Sequence, residues 1–84
     1  MDNWLVYIVR CCDDSFYTGA TNNLTKRLKA HSDAKGAKYT ASRRPISLVG
    51  HSMLMSKSQA LKLEYKVKQQ KRKDKINFLR EHEK

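Results

Sequence analysis

The chain has 84 residues, 39% of them apolar, and a formal net charge of +10. That length suits one small domain with a modest core, and no apolar run approaches the ~18 residues that a membrane-spanning helix needs. The opening "MDNWLVYIVRCC" starts with an acid, and its apolar run ends in Arg10 without a cleavage-site pattern, so it does not read as a signal peptide.

Trp4 to Cys11 is β-branched and apolar with no helical period, which predicts a strand. Leu5, Tyr7 and Val9 fall on one face and Trp4, Val6 and Ile8 on the other. Apolar residues on both faces predict a central strand covered on both sides. Cys11 and Cys12 are adjacent, which suits neither a relaxed disulfide nor zinc spacing. They are expected to be buried free thiols, which favours a reducing, cytoplasmic location.

Asp13 and Asp14 are turn formers, and Ser15 to Thr18 reads as a second strand ended by Gly19. The hairpin sets a geometric condition on its two tyrosines. A two-residue turn would send Tyr7 and Tyr17 to opposite faces, because side chains alternate along a strand. An odd loop, such as Asp13-Asp14-Ser15, or a bulge brings them to one face. The odd loop is the expectation.

In "TNNLTKRLKAHSD", Thr21, Asn22 or Asn23 can cap a helix over about 23–33. The stripe begun by Leu24 and Leu28 also takes positions 27 and 31, which are Arg27 and His31. One reading is a snorkelling arginine beside a core histidine; the other is a site. Residues 34–45 form a basic connection closed by Pro45, and "ISLVGHSML" predicts a third strand.

Ser56 followed by Gln59 has capping-box spacing, so a second helix should run over about 57–70. Ala60, Leu61, Leu63, Tyr65 and Val67 spread over one broad arc with Glu64 near its middle. A carboxylate facing the interior needs a partner. Either a structural ion pair, for instance with Arg27, or a metal or catalytic site would supply one. "RKDKINFLREHE" predicts a last helix carrying Ile76, Phe78 and Leu79. The order β-β-α-β-α-α indicates an α+β fold in two or three layers, with one domain over 2–80 and a tail over 81–84.

The charge is unevenly placed. Up to Asp33, four basic residues meet four acids. Beyond it, fourteen basic residues face only Glu64, Asp74, Glu81 and Glu83. Such a bias suits a polyanion, and nucleic acid is the commonest one. A solvated basic helix surface is the plainer alternative. Phosphodiester cleavage needs a base or oriented water, a cation on the phosphate oxygens, often a metal ion, and a basic surface for the backbone. The two tyrosines, Arg27, His31 and Glu64 can cover those roles.

These residues resemble a known family. "LVY" at 5–7 and "YTG" at 17–19 look like the two tripeptides that name the GIY-YIG nuclease superfamily. "NLTKRLKAH" is similar to its helix with the arginine, and "ALKLEYKVK" to its helix with the glutamate. The likeness runs from about Trp4 to Leu79 and is closest to the short, stand-alone bacterial proteins, whose pattern also has a "GAKYT…RRP" stretch. It implies a three-stranded antiparallel sheet flanked by helices and metal-dependent hydrolysis of DNA phosphodiesters, branched or single-stranded DNA included.

Carried onto this chain, the resemblance implies that Tyr7 and Tyr17 line the site, one of them orienting or deprotonating water, and that Arg27 binds the scissile phosphate. Glu64 would hold one divalent ion, Mg²⁺ or Mn²⁺, the ion a lone carboxylate suits best. A free tyrosine is a poor base at neutral pH, so His31 could serve as the base or merely hydrogen-bond a tyrosine. Ala20 follows the second tripeptide where several family nucleases have a lysine.

Lys35, Lys38, Arg43 and Arg44 are the expected phosphate contacts, with Tyr39 stacking on a base or packing. The run "KQQKRKDK" at 68–75 is a second basic candidate. No membrane partner and no small-molecule cofactor are expected. Two other functions fit the same sequence: a non-catalytic nucleic-acid-binding module on this fold, and an interaction domain whose tyrosines and Glu64 are structural.

Overall fold

A computed structural model describes residues 2–33 and 42–81. The expected contacts Lys35, Lys38 and Tyr39 lie outside the described residues. Within them the elements run β1 (Leu5–Arg10), β2 (Phe16–Thr21), α1 (Leu24–Ser32), β3 (Ser47–His51), α2 (Lys57–Lys68) and α3 (Arg72–Arg80). The sheet is antiparallel in the order β2-β1-β3. The α+β class and the antiparallel three-stranded sheet are as expected.

β1 is the central strand, and both of its faces are covered. Val6 and Ile8 pack with Met55, Ala60, Leu63, Val67 and Leu79, which places α2 and α3 on that side. Leu5, Tyr7 and Val9 pack with Tyr17, Leu24, Leu28 and Ile46, which places α1 on the other. Each fully buried aliphatic side chain of this kind is worth roughly 1.5–3 kcal/mol, so β1 anchors two small cores at once.

The hairpin loop is odd, as predicted, but starts one residue earlier. Cys11 N–H donates to Ser15 O at 2.8 Å, and Asp14 N–H donates to Cys11 O at 3.0 Å. The loop is therefore Cys12-Asp13-Asp14, with Asp14 in the left-handed region at φ 66°. A tight turn followed by one left-handed residue is a favoured three-residue hairpin, and aspartate tolerates that conformation. Asp13 accepts the Ser15 N–H and O–H on Oδ1, at 3.1 and 2.6 Å, which fixes the turn's exit. Arg72 of α3 donates to the Asp14 carbonyl and lies over the Phe16 ring at 4.4 Å, fastening the loop to the last helix.

Four expectations need correction. Cys11 is buried, but Cys12 is exposed because it enters the loop. β2 does not end at Gly19; it runs on to Thr21. The third strand is shorter than its apolar run, and Leu54 just beyond it is exposed. Leu61 and Tyr65 of α2 are exposed rather than inward, because the helix touches the sheet through the narrow stripe Ala60, Leu63 and Val67.

Candidate active site

The register of the hairpin places the site. Tyr7 pairs with Gly19 and Val9 with Tyr17, so both tyrosines stand on the face that α1 covers. Their ring centroids are 6.5 Å apart. α1 begins as soon as β2 ends. Thr21 Oγ1 accepts from Asn23 N–H at 3.1 Å, and Asn23 Oδ1 caps the helix by accepting from Lys26 N–H at 3.1 Å. This short junction lays Arg27 and His31, one turn apart, directly over the two phenols.

A hydrogen-bonded chain results. Arg27 Nε–H donates to Tyr7 Oη at 3.3 Å, and Tyr7 Oη lies 2.9 Å from His31 Nε2. Arginine only donates, so the Tyr7 oxygen accepts from it. His31 is fully buried, and its pKa is lowered, first by that burial and then by the Arg27 charge. It is therefore mainly neutral at pH 7, and Nε2 accepts the phenolic proton in the tautomer protonated at Nδ1. The Tyr7 hydroxyl, and with it the Tyr17 hydroxyl close to the Arg27 guanidinium, raises the arginine's pKa. The Tyr17 ring meets His31 edge-on at 5.3 Å.

Tyr7 and Tyr17 differ in environment. Tyr7 is wholly buried, and its pKa is raised: desolvation outweighs the lowering effect of Arg27. Tyr17 is half-buried at the surface of the cluster. The two expected tyrosines thus meet at one place, but only Tyr17 is open to solvent.

Glu64 sits at the border of the buried stripe of α2, with its side chain 20% exposed. The ion pair considered with Arg27 does not form. Glu64 instead pairs with Lys68, one turn along its own helix, at 3.4 Å. Its charge is still felt at Tyr7, as the smallest of the influences that raise that phenol's pKa. Arg27, His31 and the tyrosines gather on one face of the sheet; Glu64 makes no hydrogen bond or ion pair with them, and its helix packs on the other face.

Among the described residues no three of His, Cys, Asp and Glu cluster as metal ligands. The donor on offer is one carboxylate. That fits a hard ion of the Mg²⁺ type, which keeps several waters and takes substrate oxygens as further ligands. The Lys68 ammonium is the competing cation there; its side chain is half exposed and its i,i+4 pairing is weak.

The two described members of the basic segment have internal partners. Arg43 pairs with Asp13 at 3.0 Å, and Arg44 donates to Ser32 O at 3.2 Å. They tie the segment to the hairpin loop and to the end of α1, where phosphate contacts were expected. One feature of the site went unnoticed in the sequence. Gly19 makes room for Tyr7, because a β-carbon there would stand 2.5 Å from Tyr7 Oη. Thr18, beside Ile8 on the opposite face of the sheet, buries a hydroxyl for which no partner is found among the described residues.

Residues 3–77 match the model of the GIY-YIG catalytic domain. The chain belongs to the GIY-YIG family. It is 47% identical to the UPF0213 protein of Staphylococcus haemolyticus, covering 90% of this chain and 93% of that one. It is 44% identical to the UPF0213 protein of Staphylococcus aureus, covering 96% and 99%. The solution NMR structure of a UPF0213 protein from Bacillus halodurans is 41% identical and superposes with a TM-score of 0.55, over 92% of this chain and 82% of the other. The relatives are short GIY-YIG proteins like this one, and the family is a nuclease family. No helix among the described residues is long and apolar enough to cross a membrane.

Proposed function

We propose that this protein is a divalent-metal-dependent endonuclease that hydrolyses phosphodiester bonds in DNA. The observation that carries the reading is the convergence of Tyr7, Tyr17, Arg27 and His31 on one face of the sheet, joined through the Tyr7 hydroxyl. A structural core has little use for a guanidinium held between two phenols and an imidazole.

Each residue then has a role. Arg27 has five N–H donors, and those beyond its bond to Tyr7 are available to a phosphate. Tyr7 is a positioning residue: sealed and protonated, it fixes the guanidinium on one side and the imidazole on the other. Tyr17, the phenol at the surface, orients the attacking water. His31, neutral and buried behind Tyr7, holds the Tyr7 hydroxyl in place. Glu64 would hold the divalent ion; when bound, that ion supplies positive charge at the phosphate and lowers the pKa of a bound water.

The test is incubation of the protein with flapped, branched and single-stranded DNA, with Mg²⁺ or Mn²⁺ and with EDTA. Metal-dependent cuts lost in Glu64→Ala support the reading. Salt-sensitive binding without cuts would instead favour the non-catalytic module on the same fold.

A further inference from the structure

The outer face of α2 carries large apolar side chains that the core does not use. Tyr65 is 66% exposed and Leu61 47% exposed, one turn apart on the same face. With Lys62, Lys66 and Gln69 they line a shallow groove of about 430 Å³. Both lysines are exposed, as is Lys68 on the other side of the ridge. A tyrosine this exposed in the middle of a helix contributes little to the fold. It is flanked on both sides by cations in a chain of net charge +10.

We infer that the Leu61–Tyr65 ridge is a stacking platform for an unpaired nucleobase of a single-stranded nucleic acid. Three points support this occupant. An aromatic face flanked by cations is how proteins hold single strands: the ring takes a base and the cations take the neighbouring phosphates. Paired bases in a duplex hide their faces, so a flat contact of this kind selects unpaired ones. Position matters too, since Tyr65 follows Glu64 directly and lies about 100° around the helix from it. A strand leaving the carboxylate along α2 therefore meets the ridge next. The inference makes use of the proposed cleavage site but does not require it, because binding alone can be measured.

The test is fluorescence anisotropy of a labelled oligothymidine and a blunt duplex against the intact protein and its Tyr65→Ala, Tyr65→Phe and Glu64→Ala variants. Tyr65→Ala should weaken the single strand about tenfold or more, leave the duplex within twofold, and keep the wild-type circular dichroism spectrum. Tyr65→Phe, which keeps the ring, should bind as wild type. Equal oligothymidine affinity for wild type and Tyr65→Ala would overturn the inference. So would a Tyr65→Ala effect seen only as a changed sedimentation coefficient, which would make the ridge a protein interface. Cleavage lost in Glu64→Ala alongside a silent Tyr65→Ala would sink the platform and leave the nuclease reading standing. Tyr65-dependent binding with no cleavage would do the reverse.

Discussion

The phenol of Tyr7 occupies the space that a side chain at Gly19 would need. A β-carbon built at position 19 would lie 2.5 Å from Tyr7 Oη and 2.7 Å from Cζ. The two residues are register partners on neighbouring strands, so the glycine is what lets the ring lie over β2 and under α1. Gly19→Ala should therefore act as overpacking. Tyr7 cannot swing aside without breaking its bonds to Arg27 and His31, and a cost of about 1–3 kcal/mol is expected. Urea unfolding measures it, and a change below about 0.5 kcal/mol would show that the ring is not confined.

Tyr7→Phe removes the hydroxyl and leaves the ring. Arg27 is partly exposed and can turn to water, but His31 is fully buried and cannot. A buried polar atom that loses a hydrogen bond costs about 1–3 kcal/mol, so the variant should lose stability of that order. Cleavage should fall as well, because the Arg27 guanidinium loses the hydroxyl that holds it in place. Wild-type stability together with wild-type rate would refute the hydrogen-bonded chain.

Stability should fall on mild acidification. His31 in the unfolded chain titrates near 6.5, and its folded pKa is lower. Between those two values the unfolded state holds more protons, so the free energy of unfolding rises with pH. The stabilisation is complete above about pH 6.5 and is lost as pH falls through that value toward the folded pKa. Tyr7 acts at the other extreme. Its raised pKa gives stability that is full below about pH 10 and lost as pH rises beyond it. Thermal melts at about pH 7.5 and pH 5 should show the acid-side loss in wild type and a smaller loss in His31→Gln. Equal losses would assign the effect to other groups.

Lys68→Met should separate the ion pair from the fold. The pair is a partly exposed i,i+4 contact, worth no more than about 0.5 kcal/mol, so unfolding should barely change. Freed of its ammonium neighbour, Glu64 should bind Mn²⁺ more tightly, read as loss of the free-ion signal in electron paramagnetic resonance. Unchanged Mn²⁺ affinity would argue against Glu64 as the ligand.

Much of this was legible in the residues, and the failures have physical causes. Alternation on both faces of β1 named the central strand, and the Ser56/Gln59 capping box marked the start of α2, where both reciprocal bonds form. The demand that two tyrosines share a face predicted an odd loop. Its placement was off by one, since turn-forming aspartates do not reveal which residue takes the left-handed conformation. Arg27 and His31 stood out as polar residues on an apolar stripe, and both reach the Tyr7 hydroxyl. Leu61 and Tyr65 were misread because helical periodicity gives the direction of a stripe but not its width. The Glu64–Lys68 pair has the i,i+4 spacing of a helical ion pair, a signal that was passed over; what excludes an Arg27–Glu64 pair is the face of the sheet that α2 covers, which the sequence does not give.

The most direct test is single-turnover cleavage of a flapped DNA with Mg²⁺ by wild type and Arg27→Ala, with binding of the same DNA measured in parallel. We expect Arg27→Ala to bind within a few-fold of wild type and to cut at least about a hundredfold more slowly, the loss typical of removing one preorganised charge-stabilising donor. An Arg27→Ala protein that is folded, binds the DNA and cuts at the wild-type rate would contradict the placing of the reaction at this cluster.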